Sequence, residues 1–320
     1  MIKADLHIHS HYSSDGEFKI IDIINKCLAQ NIDTFSLTDH NSVKGVQEAA
    51  DGAQQAGIRF IPGIEIDCNY EGVNLHLLGY HIDWKSYDFL LLEEDIASKV
   101  MNSFSEMIDN LHRLGFTIEA DAVLDQANVK LPSGELIAEV MLNSDIYASP
   151  LLSPYMKGGK RSDMPYINFY LDYFAQGKPA FVPIQYMSFR HAVEMIKDNG
   201  GIPIVAHPGL NLKGREQIAE KLLDNGAKGL EVFNNYHQSN QISYFASLVQ
   251  RQKAIMTCGS DFHGKTKPLI NIGQFNFEGQ FEDYLKESIY LHLYNNNSSL
   301  SFESVSYTHL RAHETDSYLV

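Results

Sequence analysis

The stretch Asp5-Leu6-His7-Ile8-His9-Ser10 is the point from which both the fold and the chemistry of this chain can be inferred. Its alternation of polar and apolar residues predicts a β-strand, in which every second side chain points to the same face. Asp5, His7 and His9 would therefore share one face. Two neutral imidazoles side by side form half of a metal site, and a nearby carboxylate commonly sets their tautomer. Two histidines alone are equally typical of ordinary buried residues, so the meaning of this pair depends on the rest of the chain.

The first 82 residues repeat a pattern of short apolar runs followed by segments with helical periodicity. This alternation lapses at residue 83 and resumes near residue 179. Between these points a long helical pattern covers residues 90–114, and a shorter one covers 135–142. The pattern predicts an α/β fold built from residues 1–82 and 179–304, with residues 83–178 forming a mostly helical insertion that acts as a cap.

Composition restricts the possible partners. The formal net charge is −15, which disfavours a long nucleic-acid duplex because phosphate binding requires a broad basic surface. A short anionic substrate remains compatible if metal ions supply positive charge locally. Three scattered cysteines, Cys27, Cys68 and Cys258, form no disulfide framework or CxxC zinc site and suggest a reducing compartment. The chain shows no signal-peptide core and no apolar run long enough for a membrane span, so we predict a cytoplasmic protein, and its oligomeric state is left open.

Residues 305–320 differ from the rest of the chain. They show no hydrophobic period, and they resemble the in-frame translation of a sequencing adapter. We expect this segment to be a non-native tail, so it is excluded from the fold and its histidines are excluded from the ligand set.

Histidines and carboxylates recur where short apolar strands are predicted to end. In parallel β/α barrels these carboxyl ends form one face, where catalytic residues gather. The residues concerned, with one carboxylate in the turn after the first strand, are His7, His9, Asp15, His40, Glu65, His76, His207, Asp261 and His263. Their nitrogen and oxygen donors suit manganese, iron or zinc, and nine are more than one ion requires. The pattern therefore predicts two or three divalent ions.

Five motifs in order resemble the PHP (polymerase and histidinol phosphatase) superfamily. They are Asp5-Leu6-His7-Ile8-His9-Ser10, Thr38-Asp39-His40, Gly63-Ile64-Glu65, Ala206-His207-Pro208 and Gly259-Ser260-Asp261-Phe262-His263. The resemblance extends from about residue 2 to residue 264, apart from the insertion. It implies a distorted (β/α)7 barrel with a trinuclear metal centre.

The resemblance also implies which residues share an ion. Carried over motif by motif, it assigns His7, His9, Glu65 and Asp261 to a first ion, Glu65 with His76 and His207 to a second, and Asp15, His40 and His263 to a third. Asp39 is expected to orient a neighbouring histidine. The proton donor to the leaving group could be Asp39, His237 or metal-bound water, and the sequence does not choose among them.

The insertion is expected to select the substrate. The chain is most similar to small phosphoesterases of the superfamily that carry such an insertion, among them nucleotide and nucleoside bisphosphate hydrolases. Their Arg-Pro-His element is absent here, where the corresponding residues read Leu131-Pro132-Ser133-Gly134-Glu135. Positive charge for the substrate is therefore expected from Lys160, Arg161 and Lys178, together with His237.

The resemblance implies hydrolysis of a small phosphate ester, such as a nucleotide or nucleoside bisphosphate, by a metal-activated hydroxide. One alternative is a 5′-3′ exonuclease acting on short RNA or DNA ends. A second alternative is a non-catalytic metal-binding module. Because all nine ligand positions are filled, catalysis is the favoured interpretation.

Overall fold

The computed structural model describes residues 3–128 and 130–294. The expected C-terminal end of the barrel domain, at residue 304, and the tail predicted at residues 305–320 lie outside the described residues. Within them, no helix combines the length and the hydrophobicity that crossing a bilayer would require.

The described residues form one mixed sheet flanked by helices, which confirms the predicted α/β class. Its strands are β1 (Ala4–Ile8), β2 (Thr34–Leu37), β3 (Arg59–Tyr70), β4 (Val73–Tyr80), β5 (Met187–Ser188), β6 (Ile202–Val205), β7 (Gly229–Phe233) and β8 (Ile255–Cys258). The order is β1-β2-β3-β4-β6-β7-β8, with β5 paired to β3. All pairs are parallel except those that β4 makes with β3 and β6.

Helices fill the connections, and most agree closely with the periodicity in the sequence. They are α1 (Ile20–Ala29), α2 (Val46–Ala56), α3 (Tyr87–Arg113), α4 (Ala120–Ala127), α5 (Gly134–Leu142), α6 (Pro165–Tyr173), α7 (Phe189–Asp198), α8 (Pro208–Asn211), α9 (Ile218–Asp224), α10 (Ser239–Gln252) and α11 (Glu282–Ile289), followed by a π-helical turn at Tyr290–Tyr294. Short 3-10 turns occur at Asp145–Tyr147, Pro150–Leu152 and Gly279–Phe281.

Strand β3 changes partners at Pro62 and Gly63. Residues up to Pro62 pair in parallel with β2, and residues from Gly63 onward pair antiparallel with β4. A Cβ atom on Gly63 would lie 2.4 Å from Ser36 Oγ and 2.9 Å from Leu37 O, so only glycine fits this approach. The proline–glycine pair is thus the point where β3 passes from one partner to the next.

The two ends of the strand order are joined beyond β8. The Asp261 amide donates to His7 O (2.8 Å), and the His9 amide donates to Phe262 O (2.9 Å). A parallel bridge pairs Ile8 with Phe262. These bonds bring the motif after β8 against β1, while the closed (β/α)7 barrel stays a prediction.

The insertion has a hydrophobic cluster of its own, formed by buried residues between Phe104 and Ala180. The N-terminal half of α3, including Phe89, Leu92 and Ile96, packs instead into the main core around the sheet. One continuous helix therefore serves both cores, because its apolar stripe turns from the sheet to the insertion between residues 96 and 104. The passage from the main core to the core of the insertion therefore lies inside α3 rather than at residue 83. The predicted domain boundaries stay a prediction.

Candidate metal centre and substrate cleft

Four predicted ligands meet at the end of β1. His7 Nε2 and His9 Nε2 are 3.1 Å apart, and each lies 3.1 Å from Glu65 Oε2. Asp261 Oδ1 is 3.3 Å from His7 Nε2 and 3.2 Å from His9 Nε2. The first predicted ligand set is therefore brought together as four atoms aimed at one point.

The second oxygen of Glu65 faces a different pair of histidines. Glu65 Oε1 lies 3.1 Å from both His76 Nδ1 and His207 Nε2. One fully buried carboxylate thus connects the first predicted set with the second. This is the arrangement expected of a carboxylate that bridges two ions.

The third predicted set lies on the other side of His9. Asp15 Oδ2 is 3.0 Å from His263 Nε2 and 3.8 Å from His40 Nε2. The rings of His9 and His263 stack with their centroids 3.9 Å apart. All nine predicted ligands therefore occupy one contiguous cluster at the base of the cleft described below.

Two of these residues do not lie at the strand ends where the sequence analysis placed them. Glu65 and His76 lie inside β3 and β4 rather than at strand ends, because β3 continues past its parallel segment into a hairpin with β4. His207 and Asp261 do follow strands, and both have positive φ, 24° and 58°. Such backbone conformations are costly for residues with side chains, and they concentrate at functional sites.

The cluster has the properties of a site for divalent cations. Among the described residues, Asp261 Oδ1 and His263 Nε2 are buried polar atoms without a well-aligned hydrogen-bond partner, although each faces other ligand atoms at 3.0–3.4 Å. An unpaired buried carboxylate oxygen is costly unless a cation compensates it. The donors are nitrogen and oxygen atoms, and the three cysteines are buried elsewhere as free thiols. This donor set suits manganese, iron or zinc.

Glu231 is a functional candidate that the sequence analysis missed. Its Oε1 lies 2.9 Å from His7 Nδ1, and its Oε2 accepts the His207 amide at 2.8 Å. We expected Asp5 to set the histidine tautomer, but the Asp5 carboxylate instead accepts backbone amides, among them that of Ser260 at 2.8 Å. The signal for Glu231 was available, since it is a carboxylate in the middle of the apolar strand β7.

The two oxygens of the Asp261 carboxylate have different neighbours. Its Oδ2 accepts hydrogen bonds from Lys267 Nζ, at 2.6 Å, and from the Tyr236 hydroxyl. Although burial alone would raise the pKa of Asp261, the Lys267 ammonium and neighbouring histidines hold that pKa well below its usual range. Lys267 thus keeps Asp261 ionised, and only Oδ1 faces the histidines.

Above the cluster lies a cleft of about 660 Å³, lined by ligand residues on one side and by the insertion on the other. The wall from the insertion and the loop after it is rich in aromatic and apolar side chains, including Tyr170, Phe174, Phe181 and Tyr186. Such walls are typical of small-molecule sites, which combine apolar surface with a few placed polar groups. The cap function predicted for the insertion agrees with this placement.

The cations predicted to bind substrate lie outside this cleft. Lys160 and Lys178 are exposed at other surfaces, and Arg161 forms two 3.0 Å contacts with the carboxylate of Asp172. None of the three lines the cleft. A substrate role for these three residues stays a prediction, and their absence from the cleft lining gives it no support.

Other cations do line the cleft, namely Lys44, Lys130, Arg215 and Lys267. Lys44 pairs with Glu93 at 2.6 Å, and Lys130 donates to a backbone carbonyl, that of Gly16. Arg215 is exposed and has no ion pair among the described residues. Nothing local in the sequence distinguished it from other surface arginines.

His237 and Asp39 are buried rather than exposed to substrate. His237 Nε2 accepts the Gly209 amide, and His237 Nδ1 donates to Val232 O, both at 2.8 Å. Burial lowers the pKa of His237 to about 4, so the ring is neutral and fully bonded. This geometry argues against His237 as a proton donor to the leaving group and as a contact for the substrate.

The Asp39 carboxylate accepts the Ser10 amide at 2.6 Å and the Ser10 hydroxyl at 2.8 Å. It is 1% exposed and does not line the cleft. It therefore fixes the loop after β1 instead of orienting a histidine directly or reaching a leaving group.

Comparison with known proteins agrees with this geometry. Residues 5–148 match the model of the PHP domain family. A 3′,5′-nucleoside bisphosphate phosphatase from Chromobacterium violaceum is 28% identical over 82% of this chain and 88% of its own. A 5′-3′ exoribonuclease from Haemophilus influenzae is 27% identical over 82% of this chain and 90% of its own.

A solved structure supports the fold. The structure of a protein from Chromobacterium violaceum described as an amidohydrolase superposes with a TM-score of 0.72 at 24% identity, covering 89% of this chain and 96% of that one. The match extends over both the sheet and the insertion.

Proposed function

This chain belongs to the PHP domain family, and we propose that it is a metal-dependent phosphoesterase that hydrolyses a phosphate ester of a small molecule. The observation that carries the proposal is the convergence of nine nitrogen and oxygen ligands at the base of a cleft of about 660 Å³. A substrate that enters this cleft from solvent would reach the ligand residues directly, because several of them line it.

Three ions are proposed, held by the three ligand sets described above. When bound, divalent ions would neutralise phosphoryl oxygens and lower the pKa of water to generate a nucleophile at neutral pH. Glu65 would hold two of the positions together through its two oxygens. Lys267 would keep the Asp261 carboxylate oriented, and Glu231 would keep the His7 ring in one tautomer.

The proposed substrate is a phosphomonoester such as a nucleotide or a nucleoside bisphosphate. Aromatic side chains of the cap wall could stack against a base, which adds about 1–3 kcal/mol in single-stranded nucleic-acid sites. Arg215 at the cleft provides a guanidinium for an anionic group beyond the reacting phosphate. The relative named as a bisphosphate phosphatase supports this choice.

A 5′-3′ exoribonuclease acting on short ends is the second candidate, supported by the similarity to the Haemophilus influenzae enzyme. A long grip on RNA would require a basic groove, and the cleft cations Lys44, Lys130 and Lys267 are engaged within the protein. A non-catalytic module is disfavoured because every ligand position is filled.

The test is phosphate release by the manganese-loaded protein from nucleoside monophosphates, 3′,5′-bisphosphates, sugar phosphates, histidinol phosphate and 5′-phosphorylated oligoribonucleotides. His7→Ala should abolish turnover, while His191→Ala, at an exposed position of α7, should leave it unchanged. Stepwise release of mononucleotides from an oligomer at a higher kcat/KM than from any small ester would favour the exoribonuclease. A metal-loaded wild type that cleaves none of these compounds would contradict the proposal.

A further inference from the structure

Asp67 lies two residues after Glu65 on β3 and therefore points to the same face of the strand. Its Oδ1 is 3.2 Å from His76 Nε2 and 3.5 Å from His40 Nδ1. These are the far nitrogens of both rings. The contact with His40 is too poorly aligned to count as a hydrogen bond, and His40 Nδ1 has no other hydrogen-bond partner among the described residues, so Asp67 Oδ1 is the acceptor that faces it. The near nitrogens, His76 Nδ1 and His40 Nε2, face Glu65 and Asp15 in the metal cluster.

Asn41 holds the Asp67 carboxylate in one orientation. The Asn41 side-chain amide donates to Asp67 Oδ2 at 2.7 Å, while the Asp67 backbone amide donates to Asn41 Oδ1 at 2.9 Å. This two-point contact occupies Oδ2 and leaves Oδ1 for the two rings. Neither the motifs nor the ligand spacing in the sequence pointed to this residue.

We propose that Asp67 is a positioning residue that sets the tautomers of His40 and His76 and thereby couples two metal positions. An acceptor at the far nitrogens favours a proton on His40 Nδ1 and on His76 Nε2. The lone pairs then remain on the near nitrogens, where they face the cluster. Because His40 and His76 belong to different ligand sets, one carboxylate acts on two ions. The inference rests on the metal centre of the proposed function.

Glu231 acts on a different part of the same cluster. Its Oε1 contacts the ring of His7, which belongs to the first ligand set alone, whereas its Oε2 accepts only the backbone amide of His207 and touches no ligand nitrogen of the second set. The two carboxylates should therefore have separable effects, with Glu231 acting on the first position and Asp67 on the second and third.

The decisive variant is Asp67→Asn. Asn41 presents its own amide to the position of Oδ2, so the new side chain would have to place its oxygen there and turn its NH2 group toward the rings. A donor would then face both histidines and favour the wrong tautomers. Loss of such an outer partner typically weakens metal binding about 10- to 100-fold.

A second exchange restores the acceptor. In the double variant Asp67→Asn/Asn41→Asp, the carboxylate at position 41 would accept from the new amide, whose oxygen would again face the rings. Recovery of metal binding in the double variant would separate hydrogen-bond orientation from charge. Asp51→Asn, the same chemical change on the exposed face of α2, is the matched control.

The readout is the number of ions per chain and their affinities, measured by equilibrium dialysis against buffered manganese and elemental analysis. We expect about three ions in the wild type, two of them weakened about 10- to 100-fold by Asp67→Asn and regained in the double variant. Glu231→Gln should instead weaken one position.

Three results would overturn the inference. Unchanged affinities in Asp67→Asn would remove the positioning role. Four ions in the wild type and three in Asp67→Asn would show that Asp67 binds an additional ion directly instead of positioning the two histidines. Uniform loss at all positions, together with a lower melting temperature of the metal-free protein, would make its role structural. A wild type that binds three ions but hydrolyses no phosphoester would refute the proposed function while the ion counts still decide the role of Asp67.

Discussion

Replacing Lys267 with methionine tests whether the cluster is built around bound cations. Lys267 is 9% exposed, and its ammonium lies 2.6 Å from Asp261 Oδ2. Methionine keeps most of the side-chain volume but removes the charge. Asp261 would then keep only the Tyr236 hydroxyl at Oδ2, while its Oδ1 has no hydrogen-bond partner among the described residues.

The expected loss in the metal-free protein is large. Removing one partner of a buried ion pair typically costs about 3–5 kcal/mol, since the other charge stays buried and uncompensated. With an unfolding entropy of about 2.1 cal/mol/K per residue, this lowers the melting temperature of a chain of this size by about 4–7 °C. Bound divalent ions would compensate Asp261 from its Oδ1 side, so the loss should fall by at least half in the metal-loaded protein.

Thermal unfolding followed by circular dichroism, once in EDTA and once in excess manganese, measures both quantities. Lys265→Met is the matched control, because Lys265 pairs with Glu139 at the surface with its side chain 43% exposed. An exposed pair contributes about 0–1 kcal/mol, so that variant should shift the melting temperature by less than about 2 °C. Equal losses for the two lysine variants in EDTA, or a Lys267→Met loss that manganese does not reduce, would refute the reasoning.

Three further predictions follow from other buried groups. Glu231→Gln should weaken manganese binding about 10- to 100-fold, because His7 loses its charged partner, and isothermal calorimetry would measure it. Burial and the nearby Asp15 charge raise the pKa of Glu135 to about 7, above its unfolded value, so its contribution to stability is present at acidic pH and lost as pH rises through about 7. Glu135→Gln should therefore gain stability over the wild type between pH 5 and pH 8, by up to about 3 kcal/mol in urea unfolding, and a constant difference would contradict this. His237→Ala should lower the free energy of unfolding by about 1–3 kcal/mol through loss of its backbone partners while leaving KM unchanged, and a raised KM in steady-state kinetics would restore a substrate role.

Local patterns in the sequence were sufficient for much of the fold. The helical patterns predicted over residues 90–114 and 135–142 correspond to α3 (Tyr87–Arg113) and α5 (Gly134–Leu142), because apolar residues at helical spacing need only their near neighbours. The antiparallel β4 was not predicted, since strand direction depends on pairing and not on composition.

Positions outside the motifs were predicted less well. Lys160, Arg161 and Lys178 were chosen because they are basic and lie in the insertion, but the loops that carry them turn away from the cleft. Arg215 and Lys267 reach it from loops after β6 and β8. Charge alone does not say which way a loop folds, and that direction is decided by packing far from the charged residue.

The sequence by itself determined the α/β class and the nine histidine and carboxylate candidates that meet in one cluster. It could do so because strand periodicity and donor chemistry are local properties that neighbouring residues report. Only the tertiary structure decided the partners of those nine residues. Glu231 contacts His7 across 224 positions of the chain. Lys267 and Tyr236 both donate hydrogen bonds to the same oxygen of Asp261. Such contacts exist only after distant strands and loops have packed together, because a hydrogen bond depends on distances of a few ångströms that no spacing along the chain encodes.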